Sequence, residues 1–264
     1  MMKFSIITVS YNSSKYIEQT INSVINQTYE NIEYIIVDGG STDGSVDIIR
    51  KYSSSISKFI CEPDKNMYDA INKGLKISSG DYISILNSDD YMVNKNTIYE
   101  IVKIIKNLKG DYSGIYGNLI KVDANGQLIR KRKGFQVNYK QLLYAKNLTF
   151  VGHATFIMSR KCIDIIGDYD YNSFNYACDY DYILRCFQKL KFKHYNVNII
   201  YFRSHSESIT SSGKLSEETE AVLYKHNYYS KNRLERFVYY YYLWGKFLFL
   251  NFFNLKNKVL ISSK

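Results

Sequence analysis

The chain has 264 residues, of which 45% are hydrophobic and 23% charged, and these globular values exclude wholesale disorder. Its net charge is +10, and from Ala221 onwards eight Lys and Arg residues stand against Glu235 alone. The four cysteines form no close C-x-x-C pair, which argues against a zinc knot or a disulfide framework and favours a reduced, cytoplasmic protein. The N-terminus, MMKFSIITVSYN, predicts a first strand and not a signal peptide.

The first 110 residues alternate predicted strands with predicted helices. Continuous apolar runs predict four strands, at Phe4–Ser10, Ile32–Asp38, 58–62 and 81–86. Apolar residues at helical spacing predict a helix after each strand, the last and longest of them over Ile98–Leu108. Such βα repeats predict an α/β fold with a mostly parallel central sheet and helices on both faces.

Acidic residues gather where these strands end, which is the edge at which open α/β sheets bind ligands. The carboxylates predicted there are Asp38, Asp43, Glu62, Asp64, Asp69, Asp89 and Asp90. Such an edge would repel a diphosphate unless a divalent cation lay between them, and hard oxygen ligands suit magnesium or manganese. For the tetrapeptide NSDD alone, a loop that caps the next helix is an equally good interpretation.

The positions of the glycines argue against two classes of nucleotide-binding protein. A dinucleotide fold places G-x-G-x-x-G directly after its first strand, but the turn there, SYNSSKY, contains no glycine. Gly39, Gly40 and Gly44 follow the second strand instead, with a different spacing. Because the chain also lacks G-x-x-x-x-G-K-S/T, the dehydrogenase and P-loop interpretations are disfavoured.

Two long segments resemble a known family. SIITVSYNSSKYIEQTINSVINQTYENIEYIIVDGGSTDGSVDII and EPDKNMYDAINKGLKISSGDYISILNSDD are similar to family 2 glycosyltransferases, in the branch that builds bacterial surface polysaccharides. The resemblance covers roughly residues 4–200 and implies a Rossmann-like GT-A catalytic domain over residues 1–212. Within it, residues 1–110 would form the nucleotide-binding half and residues 111–212 the acceptor-side half. A basic, aromatic helical tail, residues 213–264, would follow.

The resemblance also assigns roles to residues at the strand ends. It implies that Tyr11 stacks on the nucleotide base and that Asp38 hydrogen-bonds the base. The residues that it places on the nucleotide sugar are Thr8, Tyr11, Asp38, Asp69, Asn72, Lys73, Asn87, Ser88 and Asp90. Asn87, Ser88 and Asp89 match the D-x-D element, whose last Asp binds Mn²⁺ or Mg²⁺. Because Asn replaces the first Asp, Asp89 would do most of the ligation, and Asp90 would contact donor hydroxyls.

In the second half, GIYGNLIKV and FIMS predict strands, and QLIRKRKG between them predicts an exposed basic hairpin or loop. GDYDYNSFNYACDYDYILRCF resembles the segment that carries the catalytic base at the start of a helix. Asp179 falls at the position of the base, with Cys178 in place of an acidic neighbour. An ordinary carboxylate at a helix N-terminus is the alternative interpretation of Asp179. By the same resemblance His153 lies on the acceptor side, and His205, on a late loop, is a candidate second metal ligand.

The implied activity is inverting transfer of a sugar from a nucleotide diphosphate sugar to a hydroxyl of a saccharide acceptor, carried on a lipid diphosphate. UDP is the favoured carrier, because Asp38 can accept a hydrogen bond from the uracil N–H. Two alternatives remain. A sugar nucleotidyltransferase would need a Gly-rich loop with Arg or Lys after the first strand, which SYNSS lacks. A non-catalytic carbohydrate- or lipid-binding module would not need Asp89 and Asp179 together.

The tail, residues 233–264, combines aromatic and basic residues. Its apolar run from Phe237 to Phe253 is short for a membrane span and has Lys246 at its middle. Helical spacing predicts one apolar face made of Phe237, Tyr240, Tyr241, Trp244, Phe247 and Leu248. This face would either pack on the catalytic domain or a second subunit, or anchor the protein peripherally at the inner face of the cell membrane. The apolar surroundings of the basic residues favour anionic lipid, so we expect no nucleic-acid partner.

Overall fold

The computed structural model describes residues 1–146, 150–205 and 214–259, and of Lys214 and residues 252–259 it describes the backbone alone. The strands are β1 Phe4–Ser10, β2 Ile32–Asp38, β3 Lys58–Cys61, β4 Tyr82–Asn87, β5 Tyr91–Met92, β6 Gly114–Val122, β7 Leu128–Arg132, β8 Phe156–Ser159 and β9 Lys193–Arg203. The helices are α1 Ile17–Ile25, α2 Ser45–Lys51, α3 Met67–Ile77, α4 Thr97–Lys106, α5 Tyr139–Ala145, α6 Arg160–Ile166, α7 Cys178–Lys189, α8 Lys214–Lys225 and α9 Arg233–Val259.

All strands of the described chain join one sheet, in the order β3-β2-β1-β4-β8-β6-β9-β5, with β7 paired to β6 as a hairpin. The first four strands are parallel, as predicted. Beyond them the sheet is mixed, because β8 runs antiparallel to β4 and β6, while β9 is parallel to β6 and antiparallel to β5. From β1, the chain adds β2 and β3 on one side of the sheet, and β4 then pairs with β1 on its other side. The crevice between the carboxyl ends of β1 and β4 is therefore a topological switch point, where such sheets bind ligands.

Helices cover both faces of the sheet, and successive residues of β1 show the division. Ile7 and Val9 lie in one apolar cluster with residues of α3 and α7. Phe4 and Ile6 lie in the other, with residues of α1, α2 and α4. Since strand side chains alternate between faces, a strand covered on both sides must be apolar throughout, and β1 is fully buried. The predicted α/β architecture is thus confirmed.

The second half of the chain completes the same sheet. The predicted strands GIYGNLIKV and FIMS are β6 and β8, and the basic hairpin is formed by β6 and β7. The sequence analysis missed β9, which pairs with β6 and also with β5 from the first half. The two proposed halves, residues 1–110 and 111–212, therefore share a single sheet.

The predicted tail contains two helices with different surroundings. Val222 and Leu223 of α8 are fully buried in the cluster that contains α7, so we propose that the separate tail consists of α9 alone. The predicted single apolar face of α9 is wrong, because the helix has two. One face packs on the protein: Leu243 and Phe247 are buried, and Phe150 contacts the rings of Trp244 and Phe247.

The other face of α9 is an exposed stripe of large apolar residues at spacings of three and four. We call this set the exposed stripe; it consists of Leu234, Phe237, Val238, Tyr241, Tyr242, Leu248 and Phe249, each more than half exposed. Among the described residues, no helix is both long enough and apolar enough to cross a membrane. The basic residues near the end of the tail (Lys256, Lys258 and Lys264) lie outside the described side chains.

Candidate active site

The end of β1 presents an aromatic ring to solvent. Tyr11 follows the strand directly and is 68% exposed, whereas every residue of β1 is buried. Its ring lies against the start of the β2–α2 loop: a Cβ on Gly39 would come within 3.3 Å of the ring. Gly39 in turn donates its N–H to the Ser10 carbonyl oxygen at 2.9 Å. The ring is thus held at the switch point with one face available, which suits the predicted stacking on a nucleotide base.

Asp38, at the end of β2, is buried and already hydrogen-bonded within its own turn. It accepts the N–H of Gly40 at 3.1 Å, and the N–H and hydroxyl of Ser41 at 2.7 Å each. A carboxylate offers about four lone-pair sites, and the Cys61 thiol, whose sulfur lies 3.9 Å from Oδ1 of Asp38, is a fourth partner. The predicted bond from Asp38 to the base stays a prediction, and it would need the Ser41 hydroxyl to make room.

The end of β4 holds the predicted metal-binding element. Oδ2 of Asp89 lies 2.9 Å from Nε2 of His205, with the two side chains 25% and 13% exposed. The Asn87 amide nitrogen donates to Asp90 at 3.3 Å, and its buried Oδ1 has no hydrogen-bond partner in the described part of the chain. Carboxylate oxygen, amide oxygen and imidazole nitrogen are ligands that Mn²⁺ accepts. Among the described residues, no group of three or more His, Cys, Asp and Glu is placed to hold a metal ion.

Arg203, the last residue of β9, fixes the loop that carries Asp89. Its backbone N–H donates to the Asp90 carboxylate and its Nε to the Asp89 carbonyl oxygen, both at 2.9 Å. The Thr20 hydroxyl lies within hydrogen-bond distance of the carbonyl oxygens of Ser88 and Asp90. His205 follows Arg203 by two residues, so the same anchor also places the second candidate ligand. The rest of its loop, residues 206–213, lies outside the described residues.

Asp90 is buried, and its predicted contact with donor hydroxyls stays a prediction. Its side chain is fully shielded from solvent and bonds to Arg203 and Asn87. Burial, reinforced by the neighbouring charge of Asp89, raises the pKa of Asp90 well above its usual range. Asp90 thus orients the metal-binding element from behind. For Ser88 the described contact is made by its carbonyl oxygen, and its role on the donor stays a prediction.

Two further predicted donor contacts, those of Thr8 and Asn72, fall on buried side chains and stay predictions. Thr8 is fully buried on the β1 face that α1 and α4 cover, where its hydroxyl is 3.2 Å from that of Tyr34. The Asn72 amide is buried and makes a two-way bond with the main chain of Tyr169, at 2.9 Å in each direction. Both side chains therefore make contacts within the fold, with Thr8 fully buried and Asn72 9% exposed.

Lys73 and Asp69 belong to a charged cluster on α3 and the loop before it. The Lys73 ammonium lies 2.9 Å from Glu62 and 3.6 Å from Asp69, and also pairs with Asp64. The lysine therefore offsets part of the negative charge expected at this edge of the sheet. Donor contacts of Lys73 and Asp69 stay predictions.

Asp179 lies in the first turn of α7 and is partly buried. Burial raises the pKa of its carboxyl to about 6, against the opposing effect of hydrogen bonds from the Tyr180 N–H and the Tyr68 hydroxyl. A carboxylate with a pKa this close to neutrality is a better general base than an ordinary Asp. Tyr68, on α3, is a site residue that the sequence analysis missed, because nothing in the sequence marks a contact over more than 100 residues.

Two tyrosines link His153 to α7, the helix that carries Asp179. Its Nε2 is 2.9 Å from the hydroxyl of Tyr169, whose ring stacks on Tyr182 at 3.8 Å. Burial lowers the pKa of His153 to about 4, so the imidazole is neutral at physiological pH. Its predicted place on the acceptor side stays a prediction.

Comparisons with known proteins show the family of the chain. Residues 5–165 match the family Glycosyl transferase family 2. A Mycobacterium bovis protein, named as a PGL/p-HBAD biosynthesis glycosyltransferase, is 26% identical over 190 residues, which are 70% of this chain and 69% of that protein.

Two solved structures share the fold. S. aureus TarS in complex with UDP has a TM-score of 0.69 and 19% identity, over 94% of this chain and 72% of that one. Glucosyl-3-phosphoglycerate synthase from Mycobacterium tuberculosis, in complex with Mn²⁺, UDP and its product, has a TM-score of 0.60 and 17% identity, over 85% and 79% of the two chains. Because the family match spans more than half of its length, the chain belongs to the family 2 glycosyltransferases.

Proposed function

We propose that this glycosyltransferase moves a sugar from a UDP-sugar to a hydroxyl of a saccharide acceptor, with inversion at the anomeric carbon. The observation that carries the proposal is Asp179, a partly buried carboxylate whose pKa of about 6 suits a general base. Asp179 takes the proton of the acceptor hydroxyl as that oxygen bonds to the anomeric carbon. The bond from this carbon to the diphosphate breaks on the opposite side, and its electron pair leaves with UDP.

Asp89, His205 and the Asn87 amide oxygen would hold the divalent cation, Mn²⁺ or Mg²⁺. Bound there, the cation supplies neutralising charge for the departing diphosphate. Two fold relatives support these assignments, since TarS was solved with UDP and the mycobacterial synthase with UDP and Mn²⁺. In this chain Tyr11 supplies the stacking surface for the base, and Asp38 supplies the acceptor for the uracil N–H.

A panel of nucleotide sugars tests the donor assignment. With Mn²⁺ present, we expect UDP-sugars to raise the melting temperature more than GDP-, CDP- or dTDP-sugars do, and one UDP-sugar to be slowly hydrolysed. Tyr11→Ala should weaken UDP binding about 10-fold, because stacking of a base on an aromatic ring is worth about 1–3 kcal/mol. Tyr99→Ala, which removes another exposed tyrosine, from α4, is the control. A preference for GDP-sugars would overturn the uridine assignment, and binding without hydrolysis or transfer would favour a non-catalytic carbohydrate-binding module.

We further propose that the acceptor saccharide is carried on a lipid diphosphate for surface polysaccharide synthesis, and that the enzyme attaches peripherally to the inner face of the cell membrane. The exposed stripe supports this proposal, because tyrosines and large apolar side chains are favoured at a membrane interface. Arg233 and Lys231 near its start are exposed and suit an anionic surface. Since Leu243 and Phe247 fasten the opposite face of α9, the helix can present the stripe without leaving the protein.

Liposome flotation tests the stripe directly. We expect the wild-type chain to float with vesicles of phosphatidylglycerol and phosphatidylethanolamine at low salt, and Phe237→Asp/Phe249→Asp to stay unbound. Both substituted residues are exposed, so the packing face of α9 is preserved. Tyr99→Asp, a charge introduced on an exposed tyrosine of α4, is the matched control. If the wild type and the double variant are recovered equally in the unbound fraction, the stripe does not bind membranes, and self-association is tested next by sedimentation.

A further inference from the structure

The catalytic-base helix is capped by a side chain from another helix. Both carboxylate oxygens of Glu218, on α8, accept hydrogen bonds from the three residues that precede α7. These bonds come from the backbone N–H groups of Asn175 at 3.0 Å, Tyr176 at 2.6 Å and Ala177 at 2.9 Å. Of these three, the N–H of Ala177 stands at the N-cap of α7, where N–H groups have no partner inside the helix and need acceptors from elsewhere, while the other two lie in the segment that leads into the helix. The N-cap position of α7, Ala177, provides no side-chain cap of its own.

A second contact fastens α8 to the same turn of α7. The fully buried carboxylate of Asp181 is 3.0 Å from the Lys225 ammonium at the end of α8 and 3.0 Å from Nε2 of His226. Asp179 lies between Ala177, which Glu218 binds, and Asp181. The backbone that carries Asp179 is therefore held on both sides by one helix, and α8 comes from a part of the chain in which the sequence analysis assigned no functional residue.

We propose that Glu218 is a positioning residue for the general base Asp179, an inference that rests on the proposed role of Asp179. By fixing three consecutive N–H groups, Glu218 sets the entry of the chain into α7 and with it the direction of the Asp179 carboxylate. Displacement of a catalytic group by about 1 Å can lower the rate about 100-fold, so a side chain that fixes the backbone before α7 can strongly affect catalysis.

Glu218 also acts on the charge of the base. Its anion offsets the positive end of the α7 dipole, which would otherwise favour the ionised form of Asp179. Loss of the Glu218 charge should therefore lower the pKa of Asp179. The other titratable groups that interact with Asp179 are Tyr68 of α3, Tyr169 and Cys178, and burial raises the pKa of all three. Because these groups are neutral near pH 6, their titration does not mask the effect of Glu218 on the pKa of Asp179.

Glu218→Gln tests the proposal, with Glu217→Gln at the neighbouring exposed position as control. Glutamine has the same shape but offers one acceptor oxygen and turns an NH₂ group toward an N–H donor. We expect kcat to fall about 10- to 100-fold, UDP affinity to stay within twofold, and the acid limb of the pH–rate profile to move to lower pH. A kcat within twofold of the wild type, an unmoved acid limb, or an equal loss in Glu217→Gln would each overturn the proposal.

Asp179→Asn, measured alongside, separates this inference from the proposed function. If Asp179→Asn is inactive and Glu218→Gln behaves as the wild type, the base stands and the positioning role fails. If Asp179→Asn keeps full activity, the base assignment fails first. Should Glu218→Gln fold poorly, Glu218→Asp keeps the charge with a shorter reach. The proposal then requires an acid limb close to that of the wild type with a reduced kcat, and a shifted limb would overturn it.

Discussion

Asp179→Asn is expected to lower kcat by about 1,000-fold, the middle of the range for a lost general base, while UDP affinity stays within twofold. Asparagine keeps the shape of the side chain and can still accept a hydrogen bond from Tyr68, so the donor site should be intact. Single-turnover transfer and calorimetric titration with UDP are the measurements, and Asp164→Asn on the exposed surface of α6 is the control. If donor binding collapses and turnover of bound substrate persists, Asp179 is a binding residue and the base lies elsewhere.

The pH dependence of the wild type gives an independent check on the same residue. Because burial raises the pKa of Asp179 to about 6, the base is protonated and inactive below that pH. We expect kcat/KM to fall about tenfold per pH unit below pH 6 and to be level above it. A limb near pH 4 would show that the base is an ordinary exposed carboxylate.

The stability of Asp179→Asn should change in the opposite direction to its activity. A carboxyl whose pKa is raised in the folded state weakens folding as the pH rises from its ordinary pKa toward the raised one, because the folded environment disfavours its charge, and above the raised pKa the loss is complete and constant. Asparagine cannot ionise, so the variant should melt at a higher temperature than the wild type at pH 8, with the difference shrinking toward pH 4. An inactive variant that is more stable at pH 8 cannot be explained by misfolding.

Asp89→Ala is expected to reduce transfer by about 100-fold or more and to abolish the gain in UDP affinity that Mn²⁺ provides. Charge neutralisation by a bound cation is worth several kcal/mol in the transition state, which corresponds to at least that factor. The loop should survive the change, because Arg203 binds the carbonyl oxygen of Asp89 and not its side chain. Affinity for UDP measured with and without Mn²⁺ separates the metal effect from the donor effect.

Two controls accompany this experiment. Asp47→Ala removes a highly exposed carboxylate from α2 and should change neither activity nor UDP affinity. His205→Ala should weaken the Mn²⁺ effect less than Asp89→Ala does, since it removes a neutral ligand and leaves the charged one. Undiminished turnover by Asp89→Ala, or by the wild type in excess chelator, would refute the assignment of the metal site.

The elements that the sequence predicted well are those whose burial is uniform. The predicted bounds are those of the structure for β1, β2, β6 and β8, because a strand that is covered on both faces has a nearly continuous apolar sequence. β9 was missed because only three of its eleven residues are fully buried and polar residues interrupt its apolar ones. Its identity as a strand depends on pairing with β6, which lies about 80 residues earlier, and no local pattern encodes that pairing.

The site residues divide in the same way. Tyr11, Asp89 and Asp179 each follow a strand end or begin a helix, and such positions can be read from local sequence. Thr8 and Asn72 differ from them in one property, which is the direction of the side chain. The sequence of a fully buried strand does not show which face of the sheet the side chain of Thr8 joins. The amide of Asn72 is hydrogen-bonded to Tyr169, which lies 97 residues later in the chain. A motif in the sequence therefore indicates where the candidate site lies, while the hydrogen-bond partners show which of its side chains make contacts within the fold.

The packing of Trp244 has a practical consequence for studying the enzyme. It is the only tryptophan of the chain, and its indole contacts the rings of Phe150 and Phe247 where α9 meets the rest of the protein. Its fluorescence, excited selectively over the tyrosines, thus reports on that junction alone. If α9 separates from the rest of the protein, the indole becomes exposed to water and its emission moves to longer wavelength. A partner that covers only the exposed stripe leaves the spectrum unchanged. The protein carries its own optical probe for distinguishing docking from partial unfolding.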